Sequence, residues 1–466
     1  MRNVWGAEPS ISVITSFPHR SASCNLTSLS ATKRLFVHRL AILPLIALLV
    51  CSCNTPDAAL GVAGGSETNP GGGATRSTSV TRVDLGTLGG ESSYAADINE
   101  GNTVVGWSET SSGTTHAFRW TAADGMVDLG TLPGDAMSRA VAVLDGAAQG
   151  GAQILGVSGE DGRWTPVVWS SSGSISALSI PLIPGFGTAL PTGFNSQGEV
   201  VGSDAGGTGL QQGWIWSESD GKYNLSANAQ GGSNEGAASD VTPSGLVVLT
   251  TRAYTCRHTS ECWRTYRWSQ AKGYDPIGTP GNDPEADVTG LALNETGTVA
   301  GWATSGTSSG TTPYRWDANS GFTLLANYAT GSSSYGYATA VSSNGTVVGA
   351  DFEPSSGSIV ASTWLASGSI VKLSPNDPNP SVAVAISNLG TIAGWAAISN
   401  GANHAVIWKP SSQSSPAVIA PAFGMQAPTS ETSRVSTASA PCLADPRSII
   451  SRQALFACVV KADRKR

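Results

Sequence analysis

Apolar residues in this chain fall in short runs that alternate with polar ones, and no long stretch places them at a helical period. Alternation over about four to eight residues is the pattern of half-buried strands. Seven such runs close on a tryptophan: HAFRW at 116–120, TPVVW at 165–169, QGWIW at 212–216, RTYRW at 264–268, TPYRW at 312–316, ASTW at 361–364 and HAVIW at 404–408. The closing residues are Trp120, Trp169, Trp216, Trp268, Trp316, Trp364 and Trp408, spaced 44 to 52 residues apart. A near-constant period of this length marks a repeat architecture.

Upstream of each tryptophan lies a second recurring block. It reads ADINEGNTVVGW at 96–107, TGFNSQGEVVGS at 192–203, SDVTPSGLVVLT at 239–250, LALNETGTVAGW at 291–302, AVSSNGTVVGA at 340–350 and AISNLGTIAGW at 385–395. The copy at 141–158 carries an insertion. The pattern predicts a hairpin whose tight turn needs a residue at positive φ, a place given to Gly101, Gly198, Gly245, Gly297, Gly345 and Gly390. The V-V-G segments that follow are apolar at successive positions, as strands covered on both faces are.

A fourth short run follows each tryptophan, clearest in MVDLGTL at 126–132, YDPIGTP at 274–280, FTLLANY at 322–328 and IVKLS at 370–374. Weaker versions stand at 175–181, 223–229 and 417–423. Four strands per unit of about 48 residues predict an all-β chain, a seven-bladed β-propeller of four-stranded blades. TRVDLGTL at 81–88 is a fourth-strand copy standing before the first complete unit. It is a better candidate than AVIAPAF at 417–423 for completing the last blade and closing the ring. The rival architecture is an open solenoid of β units.

The blocks DLGTLGG, A-x-x-I-N-x-x-G-x-V-V-G and HAFRW resemble the HAF-repeat family of bacterial extracellular proteins. The triplet itself is His116, Ala117, Phe118, with a relaxed copy at His404, Ala405, Val406. The likeness spans roughly 81–410 and is strongest at 84–132 and 383–408. It implies an exported repeat protein and brings no catalytic residues with it.

Composition sharpens the address. Charged residues make up only 13% of the 466-residue chain, with 56 Gly and 14 Trp, which suits an extracytoplasmic β protein. The body, 53–423, holds 14 basic and 29 acidic residues, a surface that would repel phosphate backbones, so nucleic acid is not expected as a partner. The basic KRLFVHR at 33–39 precedes the uncharged LAILPLIALLV at 40–50, a run of signal-peptide length and too short to span a bilayer. Cys53 follows Ser52 and stands three residues after Val50, as the lipidated cysteine of a bacterial lipoprotein does, with ordinary secretion as the alternative. Residues 1–52 therefore read as an over-extended start plus signal peptide, 53–80 as a flexible tether, 81–423 as the propeller and 424–466 as a tail outside the repeat.

Candidate chemistry is thin. His116 and His404 occupy equivalent places, four residues before their tryptophans, and read either as proton carriers or metal ligands, or as packing residues of the repeat. Trp107, Trp302 and Trp395 read either as a sugar-stacking lining or as packing between blades. GTSSG at 306–310 matches G-x-S-x-G but lacks the helix a nucleophile elbow requires. Cys256 and Cys262 bracket CRHTSEC and are disulfide candidates in an oxidising compartment. No catalytic residue, metal ligand set or cofactor motif is assigned.

The sequence thus predicts an envelope-anchored, monomeric binding or scaffold module. Its partner would be a surface protein or glycan met by loops of one ring face, with inserts such as 145–153 and 253–263, and the membrane would be touched only through the lipid anchor. The alternative is a glycan-active hydrolase or lyase with paired carboxylates at the central channel. Titratable side chains around the axis would favour the enzyme; Gly, Ser and Val there would favour the module.

Overall fold

Each repeat folds into its own antiparallel sheet because its apolar segments are too short for anything but strands and its turns are built for hairpins. The computed structural model describes residues 80–410, apart from 145–152, 161, 207–210, 230–231, 255–261, 305–309, 332–333 and 366. All of them belong to one compact unit, Ala58–Arg466. They form seven four-stranded sheets, six with their strands in meander order and the seventh a three-strand meander completed by the N-terminal strand. The helical residues described are a single turn at Leu225–Asn228 and a 3-10 turn at Pro280–Asn282.

The first strands of the blades are Gly89–Ile98, Met137–Val143, Thr188–Phe194, Gly232–Val241, Val288–Leu293, Tyr337–Val341 and Ser381–Ile386. Each contacts the first strand of the next blade, and the seventh contacts the first, so the sheets close into a ring around these inner strands. The seven-bladed propeller expected from the period is the observed fold, and the open solenoid is excluded.

Closure comes from the N-terminal strand. Val80–Asp84 pairs antiparallel with Asn403–Pro410 and becomes the outer strand of blade 7. The rival segment 417–423 lies outside the described residues, as do the signal region, Cys53, the tether up to 79 and the tail 424–466.

The repeated hairpin is a three-residue loop with a left-handed residue at its end. Gly198, Gly245, Gly297, Gly345 and Gly390 adopt φ of 76–84° there. The first blade departs from expectation. Asn102, one residue after Gly101, takes the left-handed position at φ 56°. Register explains it: Asn99 N–H bonds the carbonyl of Thr103 and Asn102 N–H that of Asn99, matching the pair Asn195–Glu199 and Gly198–Asn195 in blade 3. Asparagine is one of the few side chains that tolerate this conformation.

The glycine closing V-V-G has a different cause. The inner strand carries a bulge opposite it in every blade, at Ala96, Val141, Thr192, Ser239, Leu291, Thr339 and Val384. The bulge pushes a carbonyl across the second strand. A Cβ on Gly106 would lie 1.9 Å from Tyr94 O, on Gly301 1.9 Å from Thr289 O and on Gly394 2.0 Å from Val382 O. Blade 4 has Leu249 at this place, which nothing described explains.

Between blades the recurrent tryptophan is a wedge. Trp169 packs on Val105 and Ala117 of blade 1, Trp364 on Ala292 and Ala300 of blade 5, and Trp408 on Ala340 and Val348 of blade 6. Indole Nε1 of Trp169 donates to Leu129 O at 2.8 Å, and that of Trp364 to Ala326 O at 2.7 Å, so the polar edge is satisfied as the ring is buried.

Candidate functional site

The two histidines are structural. His116 Nδ1 lies 2.8 Å from Asp128 Oδ2, and His404 Nδ1 lies 2.9 Å from both carboxylate oxygens of Asp84. Each aspartate also accepts from the glycine two residues on, Gly130 N–H at 2.7 Å and Gly86 N–H at 2.9 Å. A serine of the next blade completes the knot. Ser138 Oγ accepts from Ala117 N–H and donates to Gly130 O, while Ser93 Oγ accepts from Ala405 N–H and donates to Gly86 O. The H-A-F and D-L-G-T-L blocks are thus two halves of one stitch joining a blade to its neighbour. In blade 7 the D-L-G half comes from the N-terminal strand.

Trp107, Trp302 and Trp395 are buried, no more than 4% exposed, so the sugar-stacking reading of these three is overturned. They share one cluster with Tyr94, Leu291 and Val384, drawn from blades 1, 5, 6 and 7. The cluster joins four successive blades through residues of their first, second and third strands. The seven bulge residues are not titratable, but Asp97 and Asp240 directly follow two of them, and their Oδ2 atoms accept from Val143 N–H and Leu293 N–H of the next inner strands, while the hydroxyls of Thr192 and Thr339 donate to Ala238 O and Ala383 O. Among the described residues no three His, Cys, Asp or Glu side chains gather as a metal site would require.

Cys262 opens the third strand of blade 4, Cys262–Ser269, and is disulfide-bonded. Cys256 lies outside the described residues, as do most of 306–310 and of the inserts 145–153 and 253–263. The strands the inserts join correct one expectation. The first links the first and second strands of blade 2, the other the second and third of blade 4, and the strand ends they join lie on opposite faces of the ring, not on one.

The described surface carries instead a cleft of about 400 Å³ at the seam of blades 3 and 4. Its walls come from the hairpins joining third to outer strands. In blade 3 the third strand Gln211–Ser217 brings Trp216 and Ser217, the turn brings Asp220, and the outer strand Gly221–Asn224 brings Tyr223. In blade 4, Cys262–Ser269 brings Trp268, Gln270 follows it, and Gly273–Pro276 brings Tyr274.

The aromatic groups are held in place. Tyr223 and Trp268 stack with centroids 5.7 Å apart and planes 24° from parallel, joining the two blades. Tyr223 is 44% exposed, whereas Trp268 is 8% exposed, so the pair presents tyrosine to solvent over a fixed indole. The Tyr274 hydroxyl donates to Leu225 O across the seam at 2.8 Å, and burial pushes its pKa upward.

Two carboxylates face this wall. Glu199 Oε2 accepts from Asn195 Nδ2 at 2.6 Å, and the same amide nitrogen donates to Thr242 O of blade 4. Asp220 Oδ2 accepts from the hydroxyls of Ser217 at 2.8 Å and Ser219 at 2.9 Å. Those bonds favour its charged form and lower its pKa, so Asp220 is an ionised acceptor and not a proton donor. Aromatic faces beside side-chain acceptors bind hydroxylated or aminated ligands.

Sequence reasoning missed this cleft because the repeat tryptophans read as packing residues in every blade. The available signal was the turn partner. The residue paired with the repeat tryptophan is Met126, Ile175 or Ile370 in three blades, but Tyr274 in blade 4, and Tyr223 pairs one step along in blade 3.

No protein-family model matches the sequence, and no curated protein does. Among solved structures the chain is similar to Pyrococcus horikoshii acylaminoacyl peptidase at 10% identity and TM-score 0.40, over 69% of this chain and 53% of that one. It thus spans about half the length of that peptidase. AofleA from Arthrobotrys oligospora aligns at 11% identity and TM-score 0.34, over 72% of this chain and 88% of the other. The Aleuria aurantia lectin, a six-bladed propeller described with a fucose recognition mode, aligns at 12% identity and TM-score 0.31, over 58% and 95%. These similarities carry no functional argument; the fold rests on the strand topology above.

Proposed function

We propose that this chain is an exported, envelope-anchored binding module of the HAF-repeat type whose ligand is a glycan, received in the cleft between blades 3 and 4. The observation that carries the reading is the solvent-facing Tyr223 stacked on Trp268 beside Glu199, Asp220 and Gln270. Aromatic rings offer flat apolar area to the C–H face of a sugar, and the side-chain oxygens accept from its hydroxyls. The export signal and Cys53 supply the address, and the closed ring supplies a rigid frame for the turns. A hydrolase or lyase is the weaker reading, because Asp220, held by the hydroxyls of Ser217 and Ser219, is kept ionised.

A glycan array probed with the purified chain and with Tyr223→Ala tests the reading. Saccharide binding that the substitution lowers at least tenfold supports it. Binding unaffected by Tyr223→Ala, or reducing-end release during incubation, refutes the site or the binding role respectively. Labelling of cells with a palmitate analogue, lost in Cys53→Ala, tests the anchor.

A further inference from the structure

The charge of the cleft narrows the ligand. Its lining includes Glu199 and Asp220 and no basic side chain. The cations nearby are already engaged. Lys222 Nζ donates to Asp204 at 2.6 Å and lies 4.7 Å above the Trp214 ring, and Arg267 is paired with Asp275 and placed 4.6 Å above the Trp316 ring. Lys272, in the blade 4 turn, is exposed and outside the lining.

The carboxylates are not free to relax away. Glu199 is fixed by Asn195, and a Cβ on Gly245 of blade 4 would lie 3.0 Å from its Oε2, so the acid is packed across the seam against bare backbone. Asp220 is fixed by Ser217 and Ser219 and ionised. Four aromatic rings thus share one cleft with two anchored acidic groups. π-faces and carboxylates stack on and hydrogen-bond any sugar, and both gain a further attraction when the ligand is a cation.

We propose that the cleft prefers a cationic saccharide, an amino sugar with a free, protonated amine, over its neutral N-acylated counterpart. This rests on the glycan reading above and deepens it. The ring C–H face lies on Tyr223, the hydroxyls meet Gln270 and Ser217, and the ammonium faces Asp220 and Glu199. The cleft volume, about 400 Å³, is near the low end of ordinary ligand sites and suits a short oligosaccharide segment. A basic peptide shares the charge but would leave the stacking face without a sugar ring to cover it.

The test is calorimetric titration with a glucosamine tetramer and its fully N-acetylated form, at about pH 5.5, where the amine is protonated and carboxylates are ionised. The expected result is roughly fivefold tighter binding of the free amine at low salt, the scale of one exposed ion pair, with the ratio falling toward one at high salt. Asp220→Asn brings the ratio toward one, whereas Asp124→Asn, in the corresponding turn of blade 1, leaves it intact. Equal affinity for the two tetramers, or tighter binding of the acetylated one, overturns the inference while leaving the glycan reading standing. Failure of both tetramers on a chain that binds other saccharides in a Tyr223-dependent way also overturns it. A polylysine peptide that binds when no saccharide does overturns both.

Discussion

Asp351 is expected to make the ring less stable as pH rises, and replacing it with asparagine to remove that loss. The residue lies two positions past Gly349 on the second strand of blade 6, Val347–Glu353, and is fully buried. Its Oδ2 accepts from Tyr328 N–H at 2.6 Å, while Oδ1 has no partner. Asn327 Oδ1 is likewise unpartnered, because Asn327 Nδ2 is committed to Thr311 O and Ser334 Oγ. Both lone oxygens crowd Gly336: a Cβ there would lie 2.3 Å from Asn327 Oδ1 and 3.0 Å from Asp351 Oδ1. A charge left on the Asp351 carboxyl at this dry site would go uncompensated. Burial raises the Asp351 pKa from 3.8 to about 7, with no salt bridge to it among the described residues and Lys372 taken by Glu353.

The sign follows from proton counts. Between about pH 4 and 7 the folded chain keeps this proton while the unfolded chain releases it, so stability falls with rising pH across that window. The full difference is about 4 kcal/mol, lost by pH 8. Asparagine keeps an oxygen for Tyr328 N–H and turns an amide N–H toward Asn327 Oδ1. Guanidinium unfolding followed by tryptophan fluorescence should place Asp351→Asn beside the parent near pH 4 and above it by up to about 4 kcal/mol near pH 8. The same position in blade 3 is a control of opposite sign. There Asp204 is buried but paired with Lys222 at 2.6 Å, so Asp204→Asn should destabilise, leaving a buried ammonium without its countercharge. A variant no more stable than the parent at pH 8, or a gain that is equal at both pH values, would refute the reasoning.

Other outcomes follow from the same geometry. Gly301→Ala should cost about 3 kcal/mol or more, since its Cβ meets Thr289 O at 1.9 Å, whereas Gly125→Ala, at φ 69° with no atom within 4 Å, should cost only about 1 kcal/mol; equal midpoints in denaturant would contradict this. Asp84→Ala removes acceptors from both His404 and Gly86 N–H, a loss of about 1–3 kcal/mol concentrated at the ring closure. Hydrogen exchange should then accelerate in 80–84 and 403–410 more than Asp128→Ala accelerates the matching strands of blade 1, where the outer strand stays tied to its own hairpin; identical acceleration would argue against closure by the N-terminal strand.

Much of the architecture was written in the order of residues. The tryptophan period set the number of blades, the Asn-to-Gly turns set the hairpins, and the stray D-L-G-T-L copy at the front located the closing strand. Such features are local, because turn chemistry and strand alternation act over a few residues and repeat seven times. What depended on packing was illegible. The bulge that reserves the last glycine of V-V-G exists only when two strands are laid side by side. The fate of each indole, packing between blades at Trp302 or cleft wall at Trp268, depends on which neighbour it meets across a seam. Whether a buried carboxylate gains a countercharge, as Asp204 does from Lys222, or is left to burial alone, as Asp351 is, is decided by residues brought together from separate strands and loops. Periodicity constrains one blade at a time; binding and charge arise between blades, where the sequence lists the participants far apart and only the closed ring makes them meet.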